Sequence, residues 1–389
     1  MDHSRRTTSC PPASATSRGR PPTGTAVPPV GVEEEFFLVD PCTGRAAPRA
    51  GQVVAKMPPR FRGLLQREFA ACQVEAITTP HHDLADLGEQ AGTMRAELAA
   101  AARDAGCRLI ASGTIPFERP GRAVLTEDPR YRMMAREYGA VLVGDQSCGC
   151  HVHVEVPDLE EAVQVCNHLR PWLPTLLALT ANSPLVGCTD SGHAAWRARA
   201  QARWPTVDFP PYLDSVQEYR ETVEAMLCSG VILDEAMIYW LVRPSHHLPT
   251  VEVRVADACA TAGETVLLAA IVRALVSTVL GEVRSGLPAP QPPESVLRAA
   301  HWRAAHDGLE GNGLDLATRK LVPAWRLVGE LVTYLTPALS AAGDLPMVAR
   351  QLTWLRRVGC GAARQRMVYG CRGGAGALTA YQSRQTAGR

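Results

Sequence analysis

Apolar and polar residues alternate with a period of two in several short stretches of the chain, the mark of strands with one side buried. The first stretch is 30–39 (VGVEEEFFLV), closed by the turn residues Asp40-Pro41-Cys42-Thr43-Gly44. Residues 69–78 (FAACQVEAIT), 149–156 (GCHVHVEV) and 250–255 (TVEVRV) read as further strands, and 108–113 as a short buried one. Helices are predicted over 83–105, with Asp83 as cap and Gly106 behind it, over 214–228 and over 264–284. The stretch 159–181 reads as helix broken at Pro171 and Pro174, and 294–358 as mostly helical. Strands and helices do not follow a regular βαβ beat, so the pattern predicts an α+β fold with a largely antiparallel sheet.

Both ends lose the pattern. Residues 1–28 are rich in Ser, Thr, Pro and Arg, with Asp2 the one acid, and are expected to be a disordered tail. Residues 372–389 are rich in Gly, Ala and Gln and are expected to be a flexible C-terminal tail. A single domain over 29–371 is expected between them.

Glutamates interrupt the strand pattern where chemistry would. In the first strand Glu33 and Glu35 share one side and Glu34 points to the other. Glu is disfavoured in strands, and two carboxylates on one side repel unless a cation lies between them. Hard oxygen ligands of this kind suit Mg²⁺ or Mn²⁺; a solvated edge strand is the plainer alternative. Glu75 sits in a second apolar strand. His151 and His153 form an HxH pair on one side of a third. Glu252 and Arg254 repeat that geometry in TVEVRVAD, where a cross-strand ion pair is the simpler reading and a metal beside a phosphate the sharper one. Arg197, Arg243 and Arg364 lie in contexts that could supply forked donors to phosphates or carboxylates.

Composition narrows the partners. The chain has 389 residues, 46% of them hydrophobic, and 40 basic against 39 acidic side chains give a formal net charge of +1. That excludes a nucleic-acid binder acting through bulk charge. Lys56 and Lys320 are the only lysines, and neither follows a glycine as in a GxxxxGK phosphate loop. Phosphate held here must be held by arginines and metal ions. The 12 cysteines include no CxxC pair and are expected to be reduced, in a cytoplasmic protein. The apolar run 265–280 is broken by Arg273 and is expected to be too short to cross a membrane. No apolar stretch follows Arg5 and Arg6 as in a signal peptide.

The order GVEEEF, QVEAIT, CGCHVHV, WLVRPS, TVEVRVAD resembles the glutamate–cysteine ligase type 2 family, including its YbdK-like carboxylate–amine ligases. The resemblance covers 29–371 and takes in DPRYRMMAREYG, TANSP and WRARAQARWPT as well. At longer range EEE, HVH and EVR resemble the ATP site of glutamine synthetases. The resemblance implies a glutamine synthetase-like curved antiparallel sheet with helices packed on one side. It implies an ATP-dependent ligase that joins an amino acid carboxylate to an amine through an acyl phosphate, with glutamate and cysteine the leading substrates. It assigns Glu33, Glu35, Glu75, His151 and Glu252 to Mg²⁺ or Mn²⁺, and His153, Arg254 and Arg364 to ATP. Arg254, Arg243 and Arg197 would act on the reacting groups. A homo-oligomer is implied by the same route. The chain departs from the family at Glu155, where Gly is usual, and at Ile115, where His is common. Two other activities compete: a guanidine phosphotransferase of the same distant fold, and a metal hydrolase built on HxH. The hydrolase would need a metal-bridging lysine, and Lys320 is expected in a helix.

Overall fold

The computed structural model describes residues 27–118, 121, 123–142, 146–371 and 374–388. Seven strands form one sheet: β1 (Val30–Val39), β2 (Leu65–Arg67), β3 (Gln73–Ile77), β4 (Arg108–Ile110), β5 (Gly149–Glu155), β8 (Val242–Pro244) and β9 (Thr250–Asp257). Two small hairpins lie apart from it, β6 (Leu185–Val186) with β7 (Thr189–Asp190), and β10 (Asn312–Asp315) with β11 (Lys320–Pro323). The helices, in chain order, begin with α1 (Ala50–Lys56), α2 (Pro59–Arg62), α3 (Leu84–Asp104), α4 (Pro129–Tyr138) and α5 (Leu159–Leu169). They continue with α6 (Leu173–Thr180), α7 (Trp196–Gln201), α8 (Val216–Cys228), α9 (Ala262–Arg284) and α10 (Glu294–Asp307). The last four are α11 (Ala324–Ala341), α12 (Leu345–Val358), α13 (Gly361–Gly370) and α14 (Gly374–Thr386).

The sheet runs β2-β3-β1-β5-β9-β8, every pair antiparallel, with β4 against the end of β1. Alternation then sorts the side chains. Val30 and Val32 of β1, Val152 and Val154 of β5, and Val251 and Val253 of β9 join one core with α5, α6, α9 and α11. Phe36 and Leu38 continue it with Val53 of α1 and Met94 and Leu98 of α3. Helices therefore cover one face, and the other is left for the polar residues. This is the glutamine synthetase-like arrangement that the resemblance implied, and the antiparallel α+β fold that the strand pattern predicted.

Glu34 faces the covered side. It is 3% exposed, and Arg95 of α3 grips it with two bonds, Nη2 to Oε1 at 2.6 Å and Nε to Oε2 at 3.1 Å. Thr265 of α9 donates to the same carboxylate at 2.5 Å, and Arg95 also donates to the carbonyls of Cys259 and Ala260. One charge pair thus ties β1, α3 and the start of α9 together.

Several boundaries differ from those predicted. The second strand is shorter, because residues 70–72 turn away, and β2 was not foreseen. The 294–358 stretch contains the β10–β11 hairpin, so Lys320 is a strand residue, not a helical one. The helix α9 spans 23 residues, enough by length and composition to cross a membrane, but 72% of its apolar window is buried within the fold. The C-terminal tail is also corrected: α14 is a helix with Leu378, Thr379, Gln382 and Thr386 buried, and the Thr386 hydroxyl accepts the Ala111 N–H at 2.8 Å. Most of the expected N-terminal tail lies outside the described residues.

Glu34→Gln leaves the Arg95 charge buried without its counter-ion. It is expected to cost about 3–5 kcal/mol, read as a lowered urea midpoint, and Glu34→Gln with Arg95→Met is expected to cost less than Glu34→Gln alone.

Candidate active site

The uncovered face collects the polar residues strand by strand. Pairing registers place them side by side: Glu35 opposite Glu75, Glu33 opposite His151, His153 opposite Glu252, and Glu252 opposite Arg243. Five adjacent strands thus contribute to one row. The glutamates and histidines were foreseen from the alternation and Arg243 only from its context before a proline, and the register aligns them.

Glu33 lies between the two imidazoles, 3.1 Å from His151 Nδ1 and 3.2 Å from His153 Nε2. Burial pushes its carboxyl up, but the bonds and charge of the two histidines outweigh that and hold it well below the usual carboxylate range. His153 is oriented by Thr250, whose Oγ1 is 2.9 Å from Nδ1. His151 is pulled below its ordinary value, by burial first and then by the Arg254 charge.

Glu252 is 1% exposed. Arg243 Nε donates to it at 2.8 Å, and Arg254 Nη1 donates to its other oxygen. Burial pushes Glu252 up, yet these two guanidiniums and the histidines keep it ionised and well below its usual value. Arg243 is fixed further by the carbonyls of Ala236 and Ile238, at 3.0 and 2.7 Å. The Arg254 guanidinium also lies 3.4 Å from His151 Nδ1 and 5.9 Å from the Tyr239 ring.

Glu75 and Glu35 have the opposite character. Glu75 is buried, and its carboxyl is pushed well up, first by burial and then by the charges of Glu68, Glu33 and Glu35, which outweigh the downward pull of the Arg254 charge. Glu35 accepts the Gly149 N–H at 2.6 Å. A Cβ at position 149 would meet the Arg197 guanidinium, which would have to shift to make room. Arg197 itself is 3% exposed and reaches the carbonyls of Val255 and Arg254 at 3.5 and 3.4 Å, so it borders the row at its Glu35 end.

Glu68 was not foreseen. It follows β2, and burial together with Glu35 and Glu33 raises its carboxyl to about 7. A lone acid between Arg67 and Phe69 carries no period that would mark it. Arg364 is not brought to the row. Its Nη2 grips both oxygens of Glu264 at 2.7 and 2.9 Å, and its guanidinium lies over Trp354. Ile115 packs in an apolar cluster with Phe37 and Cys148, and Glu155 is exposed at the end of β5.

Two groups of donors are metal-sized: Glu33, His151 and Glu252, and Glu35, Glu75 and His151, with ligand atoms within 4.8 Å of one another in each. His151 belongs to both. The fit to divalent cations is chemical as well as geometric. Carboxylate oxygens dominate, and Glu35 faces Glu75 directly across the β1–β3 ladder, a like-charge pair that a cation would relieve.

A face that sets two cation-sized carboxylate groups beside a guanidinium suits a divalent cation beside a phosphate, and the family match makes the chain an ATP-dependent ligase that joins a carboxylate to an amine. The family model described as Glutamate-cysteine ligase family 2 (GCS2) matches residues 29–380, and the chain belongs to that family. It is 48% identical over 339 residues to "Putative glutamate--cysteine ligase 2" of Salinispora arenicola, covering 87% of this chain and 89% of that one. It is 47% identical over 352 residues to "Putative glutamate--cysteine ligase 2-2" of Mycobacterium sp. (strain KMS), covering 90% and 95%. Among solved structures, the fold matches the glutamate–cysteine ligase of Francisella tularensis in complex with AMP, with TM-score 0.68, 14% identity and 94% and 90% coverage. It also matches a bifunctional glutathione synthetase from Pasteurella multocida, with TM-score 0.67, 17% identity and 93% of this chain, although the chain spans only 52% of that enzyme.

The repulsion at Glu75 gives a signed expectation. A carboxyl raised on folding contributes stability at low pH and loses it as pH rises from about 4.5 through the folded value. In EDTA at pH 8, Glu75→Gln is therefore expected to melt at or above the wild type. With Mg²⁺ or Mn²⁺ added, the wild type is expected to gain melting temperature, and Glu75→Gln and Glu35→Gln to lose most of that gain.

Proposed function

We propose that the chain joins L-glutamate to L-cysteine at the expense of ATP, giving γ-glutamylcysteine, ADP and phosphate. The observation that carries this reading is the shared His151, which sets two carboxylate groups side by side on one sheet face, with Arg254 beside His151 and Glu252. Glu33, Glu35, Glu75, His151 and Glu252 are the residues that would hold Mg²⁺ or Mn²⁺. Such cations, when bound, neutralise phosphate oxygens during phosphoryl transfer.

The protein's own groups do the rest. Arg254 supplies a forked donor at the row's centre, where charge on the transferred phosphoryl group would be spread. Arg243 holds Glu252 in place from the next strand, so the carboxylate and Arg254 keep their mutual geometry. His153, fixed by Thr250, stands at the nucleotide end. Arg197, at the Glu35 end, is placed to orient a substrate carboxylate. The substrate acid attacks the γ-phosphate, ADP leaves, and an acyl phosphate remains. The amine then attacks its carbonyl carbon, the C–O bond to phosphate breaks, and the amine gives up a proton as the amide forms. Holding both partners on one face converts this sequence into neighbouring steps.

The hydrolase alternative loses its lysine: Lys320 is exposed on β11, in a separate hairpin.

ADP and phosphate release from Mg-ATP is expected to need an acid and an amine together, with an amide product seen by mass spectrometry across a panel of amino acids. A phosphorylated product without amide would instead mark a phosphotransferase. Arg254→Lys is expected to lower kcat by about 10–100-fold, since one ammonium cannot reproduce a fork; a near-normal rate removes Arg254 from the phosphate.

A further inference from the structure

Three segments that carry the family resemblance, TANSP, WRARAQARWPT and VEVRVAD, meet at the Glu35 end of the carboxylate row. Their meeting point is Asp257, the last residue of β9, fully buried and opposite Gly149 in the β5–β9 ladder. Its Oδ2 accepts the Asn182 N–H at 2.9 Å and the Ser183 hydroxyl at 2.6 Å. Asn182 is itself fixed: its side-chain amide donates to the carbonyls of Ala111 and Ala258 at 3.1 and 2.8 Å, and Gln365 donates to its Oδ1 at 2.8 Å. A Cβ at Gly113 would lie 2.7 Å from Asp257 Cγ, so the chain passes this close because residue 113 is glycine.

The Ser183 hydroxyl gives its proton to Asp257, which leaves the oxygen lone pairs for a donor on the other side. That donor is the Arg197 N–H, at 3.0 Å. The Ser183 carbonyl accepts the Trp196 N–H at 3.0 Å, and the Ser183 N–H donates to the Ala194 carbonyl at 3.1 Å. The first N–H groups of a helix need acceptors from outside it. Ala195 gives α7 no side-chain cap, and Ser183 supplies the acceptors from a distant segment.

The side chain fixed in this way is Arg197. Its guanidinium lies against Gly149, whose N–H is held by Glu35. Its Nε has no hydrogen-bond partner among the described residues, and Nη1 and Nη2 reach carbonyls at 3.5 and 3.4 Å. Contacts this long do not grip a guanidinium, so its place follows from where α7 begins. The Asp257 carboxyl feels the same cation: burial pushes it up, and the Arg197 charge leads the groups that pull it down.

We propose that Asp257, acting through Ser183, is the positioning residue for Arg197 and thereby sets how tightly the substrate carboxylate is held. The inference rests on the role proposed for Arg197. Asp257 and Ser183 are both fully buried and act only through α7.

Kinetics with L-glutamate, L-cysteine and Mg-ATP, and hydrogen–deuterium exchange read by mass spectrometry, test this in the full chain. Ser183→Ala is expected to raise KM for glutamate about tenfold and to leave KM for Mg-ATP within about twofold of the wild type, whereas a general loss of structure would move both. Amide exchange in residues 196–201 is expected to quicken about tenfold. Asp257→Ala is expected to do the same, and Asp257→Asn to keep KM near the wild-type value, because its carbonyl oxygen can accept the same two bonds. Ser183→Ala, which leaves Asp257 its Asn182 bond, decides the matter where Asp257→Ala does not fold. Exchange in α7 unchanged by Ser183→Ala overturns the proposal. So does an Asp257→Asn enzyme as impaired as Asp257→Ala, or a normal KM for glutamate in Ser183→Ala while Arg197→Ala raises it. A normal KM for glutamate in Arg197→Ala removes that residue from the substrate, and this proposal with it. Absence of turnover with this pair of amino acids overturns the glutamate–cysteine reading alone, and exchange, which needs no turnover, then decides whether Asp257 and Ser183 hold α7.

Discussion

Three consecutive glutamates in one strand can be tolerated only if the middle one finds a counter-ion inside the protein. Arg95 is that counter-ion. Strand alternation sends Glu33 and Glu35 to the open face and drives Glu34 into the core, where an unpaired carboxylate would cost several kcal/mol. The fork from α3, with the Thr265 hydroxyl from α9, satisfies it. The same contacts fix β1 against both helices. A one-residue slip of β1 would bury Glu33 and Glu35 among valines and expose Phe36, so the ion pair also defines the register on which the row of site residues depends.

Across that row the electrostatics change sign within a few ångströms. At the β5–β9 side each carboxylate is matched by imidazole or guanidinium, and Glu33 and Glu252 stay ionised despite burial. At the β3 side Glu75, Glu68 and Glu35 face one another, and two of the three are pushed towards the protonated form. One half is satisfied by the protein itself. The other half gathers like charges that a cation held there would relieve.

The face-sorting of the site was legible because period two is a local property. Glu33, Glu35, Glu75, His151, His153, Glu252 and Arg254 all sit in strands whose apolar neighbours reveal their direction, and β1 begins and ends where the alternation does. What failed was non-local. Arg364 lies in a Gly-flanked segment that could point anywhere, and its partner Glu264 is 100 residues away. Glu68 is made acidic-site material by β2 folding back, and a three-residue strand carries too few positions to show a period. The C-terminal helix α14 was hidden by small residues, whose helical character comes from packing against β4 and not from an apolar stripe. The β10–β11 hairpin is likewise too short to outweigh the helices on either side.

The near absence of lysine has a chemical meaning beyond charge. Lys56 and Lys320 are both exposed, at the end of α1 and in the β10–β11 hairpin, so every side-chain cation in the carboxylate row is a guanidinium or an imidazole. A guanidinium stays protonated at neutral pH and is no nucleophile, whereas a lysine amine loses its proton readily when buried. A site that activates a carboxylate for attack by an amine is safest when it carries no amine of its own. In the proposed ligase reaction, arginine would give this face its positive charge without offering an activated acyl group an internal competitor.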